Sequence, residues 1–497
     1  MGHSQKPLPH LILVFLIIST FAVQSGGEEG FISIIISEKG LDFVKDLLIN
    51  EAVRSLTTLQ LPVIERSIRI PLIGSVHVTL SNITISHIDV PSSTIKTGEE
   101  GVVMVASNAT VNISMDWRYS YATWLIPIEV SDRGSATIWV DGMEVGVSVG
   151  MEIQEGTLKL SVKEFGCYLE DISINLEGGA SWFYQGFVDA FEGQIRSSVE
   201  TAITNKISEG TMKLDSFLQN LPKEVQVDDV SALNVTLVND PLLGDSFIGF
   251  EVNGLFTAKD EATYFRSFHT NFQSSIFYDG PSEMLAISLD EAVFNSASTI
   301  YFKAGLMHRV VDKVPDQSYL NTARWRYIIP QLYKKYPNDD MKLNISLSSP
   351  PIMRITSHDI GATIYSDMTV DVVHGYETVS VACISIVATA SGVLEVSGNN
   401  LAGQAELDDF SLKLKWSNVG DFHMTLIQSV MRALLKTVVM PFLNLHLKKG
   451  FPLPIIHGFT IQNAAIQYSY SKIMVYSNVE YTDSCHDHLK QPLALQA

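Results

Sequence analysis

The spacing of apolar residues along the chain changes repeatedly between a helical and a strand-like period. Residues 40–60 place Leu, Val and Ala at three- and four-residue steps, which predicts an amphipathic helix that ends before Pro62. Residues 64–176 alternate apolar and polar positions in long runs rich in Val, Ile and Thr, which predicts successive antiparallel strands. An apolar stripe over residues 182–221 then predicts a second helix, which ends at Pro222.

The second half of the chain repeats this order of elements with little residue identity to the first half. Alternating runs predict strands within residues 246–294 and 341–416, while helices are predicted over 296–311 and 421–447. A last pair of strands is predicted within residues 459–481. Two halves that each combine a curved antiparallel sheet with amphipathic helices indicate an α+β fold.

The amino terminus has the pattern of a secretory signal peptide. A basic start precedes an apolar run of about 13 residues at 11–23, and small or polar residues follow it. The run is shorter than the ~20 residues that span a bilayer, so residues 1–25 are predicted to be removed and the protein to be secreted. No later segment is expected to span a membrane, because Arg432 and Lys436 interrupt the most apolar one, 426–442.

Five N-x-S/T sequons agree with secretion and predict glycosylation at some of them. They are at Asn82, Asn108, Asn112, Asn234 and Asn344. The chain has three cysteines, Cys167, Cys383 and Cys485, which are too few for a secreted disulfide scaffold. Stability is therefore expected to come mainly from buried apolar area, and at least one thiol is free or paired between chains.

The chain is acidic, and the charge is concentrated in its first half. The net charge of the 497 residues is −20, and residues 26–240 contain 14 Lys and Arg against 30 Asp and Glu. Binding to the phosphate backbone of a nucleic acid requires the opposite balance, so no nucleic-acid partner is predicted. The same balance argues against a broad basic surface for anionic membranes.

No motif in the sequence predicts catalysis. Residues 146–150 match the G-x-S-x-G pattern around an esterase nucleophile, here Ser148. That pattern requires a sharp turn between a strand and a helix, whereas both flanks of Ser148 alternate as strands do. A Cys-His-Asp-His run at 485–488 has metal-binding residue types, but it lies in a polar tail and is not predicted to form a site. A protein without catalysis, metal or cofactor is therefore predicted, with a secreted esterase as a remote alternative.

The stretch DWRYSYATW at residues 116–124 is rich in aromatic side chains. Trp117, Tyr119 and Tyr121 alternate and would share one face of a strand, which we expect to pack against the interior of the sheet. Trp124 has the opposite parity and precedes Leu-Ile-Pro, which favours contact with a membrane or a glycolipid.

Several segments along the chain form a recognisable series. They are ISEKGLDFVKDLL from Ile36, the helix from Trp182 that ends in FLQNLP, AVFNSASTIYFKAG from Ala292, WSNVGDF from Trp416 and KGFPLP from Lys449. In this order they resemble the bactericidal/permeability-increasing protein and lipopolysaccharide-binding protein family over nearly the whole mature chain. The acidic, cysteine-poor composition is similar to that of plant members.

The resemblance implies an elongated two-barrel α+β fold, in which each half wraps a twisted antiparallel sheet on long helices and a central sheet joins the halves. The implied domains are a first barrel at 26–224, a central linker and sheet at 225–250, and a second barrel at 251–497. Each half would hold acyl chains in an apolar pocket between barrel and helices, at ~0.8 kcal/mol per buried CH₂. The residues expected near the first pocket are Val44, Leu48, Phe187, Phe191 and Ile195.

Two departures from the family pattern are apparent. Cys167 lies where animal members have the first cysteine of a disulfide, but residues 202–206 of the second helix offer no partner, so this disulfide is expected to be absent. The Lys- and Arg-rich tip loop of endotoxin-binding members is also missing, which weakens capture by charge. The head-group contacts expected at the tip are Arg66, Arg69, Arg118 and Trp124.

The sequence therefore predicts a secreted, monomeric lipid-binding protein of innate immune defence. Its expected ligand is bacterial lipopolysaccharide or a related amphiphile, met at a bacterial outer membrane or another lipid surface. The alternative is a carrier of phospholipid or other apolar ligands with no role in endotoxin binding, and the acidic first half favours that alternative.

Overall fold

The computed structural model describes residues 29–57, 59–70, 74–98, 101–122, 129–177, 181–259 and 282–482, without the side chains of residues 70 and 181–190. The predicted signal peptide at residues 1–25, as well as Trp124 and Cys485, lie outside the described residues.

The first half of the chain forms one antiparallel sheet and two long helices. In chain order its elements are β1 (Ile32–Ser37), α1 (Glu38–Leu56), β2 (Ile64–Ile70), β3 (Gly74–Asp89), β4 (Ser92–Gly98), β5 (Gly101–Ala122), β6 (Glu129–Gln154), β7 (Thr157–Tyr168), β8 (Asp171–Glu177) and α2 (Ser181–Gln219). The strands pair in the order β2-β3-β5-β6-β7, with β4 added to β5 and β8 added to β6. This sheet is called the first barrel below.

Bulges bend the long strands of the first barrel around α2. The register of β3 against β5 shifts near Asn82, and that of β5 against β6 shifts near Asn108. Both asparagines have positive φ, 53° and 56°, which is a conformation that asparagine adopts more readily than most residues. The concave face is apolar, and Ile195, Val199 and Ile203 of α2 pack against it with no more than 1% of each residue exposed.

The second half has the same kind of organisation with more short elements. They are β9 (Glu224–Gln226), β10 (Ser231–Asn234), β11 (Leu242–Gly244), β12 (Phe247–Val252), β13 (Phe256–Ala258), β14 (Leu285–Asp290), α3 (Glu291–Lys303), β15 (His308–Val311), two 3₁₀ turns (Gln317–Leu320 and Thr322–Trp325), α4 (Pro330–Lys335), β16 (Asp340–Leu347), β17 (Ile352–Ile355), β18 (Ile360–His374), β19 (Glu377–Ser397), β20 (Asn400–Ser417), α5 (Met424–Leu434), a π-helical turn (Leu435–Val439), α6 (Met440–Leu447), β21 (Phe451–Pro452), β22 (Phe459–Ser469) and β23 (Lys472–Tyr481). Strands β15-β16-β18-β19-β20-β21 form the second barrel, with β17 added to β18.

A central sheet joins the two barrels and draws its strands from distant parts of the chain. Its order is β11-β12-β1-β14-β23-β22. Ile34 of β1 lies opposite Phe250 of β12 on one side and Ile287 of β14 on the other. The predicted α+β fold with two barrels and a joining sheet is confirmed. A small sheet, β13-β10-β9, lies beside this junction.

The helix predicted over residues 296–311 is wrong at both ends. The helix α3 begins at Glu291, because Asp290 ends strand β14 and its carboxylate accepts a hydrogen bond from the backbone N–H of Ala292 at 2.9 Å. It ends at Lys303, and residues 308–311 form strand β15, which pairs with β16. Apolar residues continue from the helix into the short strand β15, so the alternation of this strand cannot be recognised in the sequence.

The expectation that no segment after the signal peptide spans a membrane stays a prediction, because the structure bears on it only through the length and composition of a helix. Among the described residues, one helix meets these two criteria: Met424–Leu447, with a mean hydropathy of 1.4 in its most apolar window. Only 17% of that window is buried. The buried side chains of the helix include Ile427, Met431 and Leu434, which pack into the second barrel. The π-helical turn precedes Pro441, which cannot donate a backbone hydrogen bond and crowds the preceding turn.

Candidate functional site

The interior of the first barrel contains two of the five residues predicted to contact lipid. Phe191 and Ile195 of α2 are 4% and 1% exposed and lie within the apolar cluster between the helix and the sheet. The side chain of Phe187 lies outside the described part of α2. The remaining two, Val44 and Leu48, are half-buried on α1.

The face of α1 that is most deeply buried lies beside the predicted pair. Leu41 and Lys45 are buried on this helix, while Val44 and Leu48 are half-buried next to them. The ammonium group of Lys45 lies 3.0 Å from the carboxylate of Asp42, and it also donates to the carbonyl oxygen of Ser93 on β4 at 3.4 Å. A charged group that is held in this way ties α1 to the edge of the first barrel.

Trp117, Tyr119 and Tyr121 form a ladder on the inner face of β5, as predicted. The ring centroids of Trp117 and Tyr119 are 6.1 Å apart and those of Tyr119 and Tyr121 are 6.2 Å apart, with nearly parallel planes. Trp117 is 5% exposed, and its indole N–H donates to the carbonyl oxygen of Ser135 at 2.9 Å. Gly134 lies opposite Trp117 on β6, and a Cβ there would be 2.6 Å from the indole ring, so the glycine makes room for the tryptophan.

The arginines predicted at the tip do not share one face of the sheet. Arg66, Arg69 and Arg118 are all exposed. Arg66 lies opposite Val78, which in turn lies opposite Tyr119, so Arg66 belongs to the face of the aromatic ladder at the edge strand β2. Arg69 and Arg118 have the other parity and lie on the outer face. The fourth predicted contact, Trp124, lies outside the described residues.

The five predicted glycosylation sites differ in how well they present the asparagine side chain. Asn82 and Asn108 are exposed at bulges, and Asn112 is half-buried on β5. The side-chain oxygen of Asn234 accepts hydrogen bonds from its own sequon threonine, Thr236, and that of Asn344 lies 2.7 Å from the Nε2 atom of His308.

The second barrel contains an apolar cavity of ≈ 210 Å³. It lies between the inner faces of β16, β18 and β19, the helix α5, and the irregular segment that contains the two 3₁₀ turns. Its lining includes Tyr319, Leu320, Trp325, Ile329, Leu332, Met341, Leu343, Met368, Val370, Ile384, Ile427, Val430, Met431 and Leu434. Polar side chains contribute little to this lining, so the cavity suits a hydrocarbon better than water or a polar ligand.

The polar groups near the cavity are satisfied by local hydrogen bonds. The indole N–H of Trp325 donates to the carbonyl oxygen of Tyr319 at 2.8 Å. The carboxylate of Asp316, which also lines the cavity, accepts hydrogen bonds from the hydroxyl and the backbone N–H of Ser318, and these bonds lower the pKa of Asp316. The site therefore holds apolar surface together with one fixed negative charge.

The lipid and head-group contacts predicted from sequence all came from the first half. The family resemblance implied an apolar pocket in each half, but none of the residues that line the cavity in the second barrel was named. The signal available was the stripe of Ile427, Met431 and Leu434, which has helical spacing, together with Trp325 in an irregular segment. Such a stripe predicts a buried helix face equally well. The empty volume arises where the irregular segment, the helix α5 and three strands pack together. A local sequence pattern does not predict how such distant elements pack.

Comparison with known proteins identifies the family of this chain. Models of the LBP / BPI / CETP family match residues 40–221 with the N-terminal domain and residues 225–481 with the C-terminal domain. A BPI/LBP family protein of Arabidopsis thaliana is 53% identical over 474 residues, which cover 95% of this chain and 97% of that protein. The chain belongs to the LBP / BPI / CETP family. The resemblance to a plant-type member is thereby confirmed.

Animal members of the LBP / BPI / CETP family match the chain over almost its whole length. A bactericidal permeability-increasing protein of Sebastes schlegelii is 26% identical and covers 95% of this chain, and 98% of that protein is matched. A lipopolysaccharide-binding protein of Bos taurus is 22% identical, with 97% of this chain and 99% of that protein covered. The crystal structure of a lipopolysaccharide binding protein superposes with a TM-score of 0.64 at 19% identity, covering 91% of this chain and 99% of the other, which shows the shared fold.

In this LBP / BPI / CETP family member, Ser148 is not placed as an esterase nucleophile, and the described residues contain no candidate metal cluster. Ser148 lies within the strand β6, opposite Val103 of β5 and Glu164 of β7, and not in the strand-to-helix turn that an esterase nucleophile requires. Within the same described ranges, no group of three or more His, Cys, Asp or Glu side chains is placed to hold a metal ion. Cys167 and Cys383 are both free thiols.

Proposed function

We propose that this protein is a secreted lipid-binding protein that recognises bacterial lipopolysaccharide or a similar amphiphile and acts in innate defence against bacteria. The observation that carries the proposal is the apolar cavity of ≈ 210 Å³ in the second barrel of an LBP / BPI / CETP family member. Relatives named for lipopolysaccharide binding and for bactericidal activity support the same ligand class.

The cavity is large enough to accept part of an acyl chain. An engineered cavity of about 150 Å³ with a similar apolar lining accepts benzene. Burial of a methylene group in such surroundings stabilises a complex by about 0.8 kcal/mol, so a segment of six methylenes would contribute about 5 kcal/mol. Binding of this kind requires no chemical step, and we propose that the protein acts by reversible binding and not by catalysis.

In the first barrel, we propose that acyl chains contact the inner face around α1 and α2. The proposed contacts are Val44, Leu48, Phe187, Phe191 and Ile195. At the tip, the proposed head-group contacts are Arg66, Arg69, Arg118 and Trp124. Since Arg66 is on a different face from Arg69 and Arg118, a head group that touches all three must reach around the edge strand β2.

A second candidate function is transport of phospholipid or another apolar ligand without endotoxin recognition. The distribution of charge favours it, because residues 26–240 contain 14 basic and 30 acidic residues. The phosphates of lipid A would meet a negative field in this half, and repulsion of this kind weakens binding at low ionic strength.

The experiment that separates these functions starts with native mass spectrometry of the protein secreted from its own source. Extraction and identification of the lipids that co-purify are followed by titration with lipopolysaccharide at two salt concentrations. Co-purified diacyl lipid together with binding of lipopolysaccharide supports the proposal. Lipid without lipopolysaccharide binding favours the carrier, and the absence of any bound lipid contradicts both.

A further inference from the structure

A short stretch of the second half has a charge opposite to that of the protein as a whole. Residues 317–338, called the cap segment here, contain four cations and no acidic residue, although the net charge of the chain is −20. The four cations are Arg324, Arg326, Lys334 and Lys335. The cap segment also contains Trp325 and four tyrosines, so charge and aromatic surface occur together.

The cations of the cap segment are exposed, and three of them are positioned by aromatic rings. The guanidinium of Arg324 lies 5.0 Å from the ring centre of Tyr319, and that of Arg326 lies 4.6 Å from the ring centre of Tyr327. The ammonium group of Lys335 lies 5.4 Å from the ring of Tyr336. Within the described part of the chain, none of the four cations has an acidic group within 4.0 Å. Their charges are therefore available to an external anion.

The same segment forms one wall of the apolar cavity. Tyr319, Leu320, Trp325, Ile329 and Leu332 all line it. Arg324 lies over the ring of Tyr319, which itself lines the cavity, so this cation contacts a side chain of the cavity wall.

Hydrogen bonds hold the cap segment in place. The hydroxyl of Thr322, which is fully buried, donates to the carbonyl oxygen of Tyr336 at 2.6 Å and accepts from the backbone N–H of Asp339 at 3.0 Å. The two ends of the segment are thereby closed on each other. A ligand would meet cations that are already arranged, which reduces the entropy lost on binding.

The acidic groups near the cap segment reduce its positive charge only in part. Asp316 lies at the cavity and interacts with Arg324 over a longer range. Asp339 is 2.6 Å from the Nδ1 atom of His374, and Asp340 accepts a hydrogen bond from Asn321 at 3.0 Å. With Asp316 counted against the four cations, residues 316–338 keep a net positive charge, although Asp316 is the one charged residue among the described residues that line the cavity.

We propose that the cap segment and the cavity together form a binding site for a single-chain anionic amphiphile, with a phosphate or carboxylate head group on the cations and the chain in the cavity. The inference rests on the proposed function in that it requires the cavity to accept hydrocarbon. It adds the sign of the head group and the residues that meet it.

Two probes of equal chain length test the proposal on the delipidated full-length protein: decyl phosphate and 1-decanol, each titrated calorimetrically below its aggregation limit. The variant Arg324→Gln/Arg326→Gln removes two charges of the cap segment. The matched control is Arg309→Gln, because Arg309 is an exposed arginine of the same barrel that lies 4.4 Å from the ring centre of Phe442, outside the cap segment. The variant Val430→Phe narrows the cavity without touching the cations.

We expect the double variant to bind decyl phosphate about 10-fold more weakly than the unchanged protein and to bind decanol within about 2-fold of it. Arg309→Gln should leave the affinity for both probes unchanged, and Val430→Phe should weaken the binding of both probes. Raising the salt concentration from about 50 mM to about 300 mM should weaken the binding of decyl phosphate and leave the binding of decanol unchanged. Inorganic phosphate, which has no chain, should not displace decyl phosphate at equal concentration.

Several results would overturn the inference. Equal effects of the double variant and Arg309→Gln would mean that net charge matters and the cap segment does not. Displacement by inorganic phosphate would assign the site to a free anion. If neither probe binds but the secreted protein retains other lipid, this inference fails while the proposed function stands. If no lipid or probe binds anywhere, the proposed function fails as well.

Discussion

The substitution Ile195→Ala tests whether the inner face of α2 is a packed core or the wall of a lipid pocket. Ile195 is 1% exposed and belongs to the apolar cluster of the first barrel. The change removes three carbon atoms, which corresponds to about 2.4 kcal/mol at about 0.8 kcal/mol per methylene. The cavity that remains raises the expected loss of unfolding free energy to about 2–5 kcal/mol.

The assay is pulse proteolysis of delipidated protein across a urea series, with peptides assigned to the first or the second barrel by mass spectrometry. This readout follows each barrel separately, which a signal averaged over the whole chain does not. The matched control is Ile207→Ala on the same helix, since Ile207 is only half-buried against the same cluster and should cost about 1 kcal/mol. The second barrel should show no change in either variant.

A loss below about 1 kcal/mol for Ile195→Ala, together with reduced retention of lipid by the secreted protein, would refute this reasoning. It would mean that the side chain contacts lipid in the natural state and that the delipidated barrel closes around the missing atoms. A loss in the expected range with unchanged lipid content would instead assign Ile195 to the core and remove it from the proposed lipid contacts.

Three other predictions follow from single side chains. Burial raises the pKa of the Cys167 thiol to about 12, so iodoacetamide near pH 8 should label this cysteine only after unfolding. Fast labelling of Cys167 in the folded protein would contradict its burial. Burial also raises the pKa of Asp290, so ionisation of this carboxylate costs stability as the pH rises through the raised value. Asp290→Asn removes this cost, so the Tm of the variant should fall less than that of the unchanged protein between about pH 4 and about pH 7. The same pH profile of Tm in both proteins would disprove this. Trp117→Phe should cost about 1 kcal/mol or more in urea unfolding, because the carbonyl oxygen of Ser135 loses its donor; no measurable change would show that the bond contributes nothing.

The local patterns of the sequence were sufficient for most long elements of this protein. Alternation over residues 64–176 predicted the strands of the first barrel, and the stripe over 182–221 predicted α2, because a strand or an amphipathic helix with one buried face must repeat with period 2 or 3.6. Parity alone predicted that the three rings of the aromatic ladder share one face, and the expectation that this face points inward is confirmed by their place in the apolar cluster. Short elements were less accessible, as the strand β15 shows, because four residues carry too little periodicity to separate them from a preceding helix.

The tertiary structure alone decided which distant segments meet. The pairing of β1 with β12 and β14 brings residues 32–37, 247–252 and 285–290 into one sheet, and no local pattern specifies a partner more than 200 residues away. Parity within β2 already puts Arg66 and Arg69 on opposite faces, but the face on which Arg118 lies relative to them depended on the registers of β2 against β3 and of β3 against β5. The cavity of the second barrel and the cations of the cap segment beside it also arise from packing between elements, since an empty volume is a property of the elements that enclose it and of no single stretch of sequence.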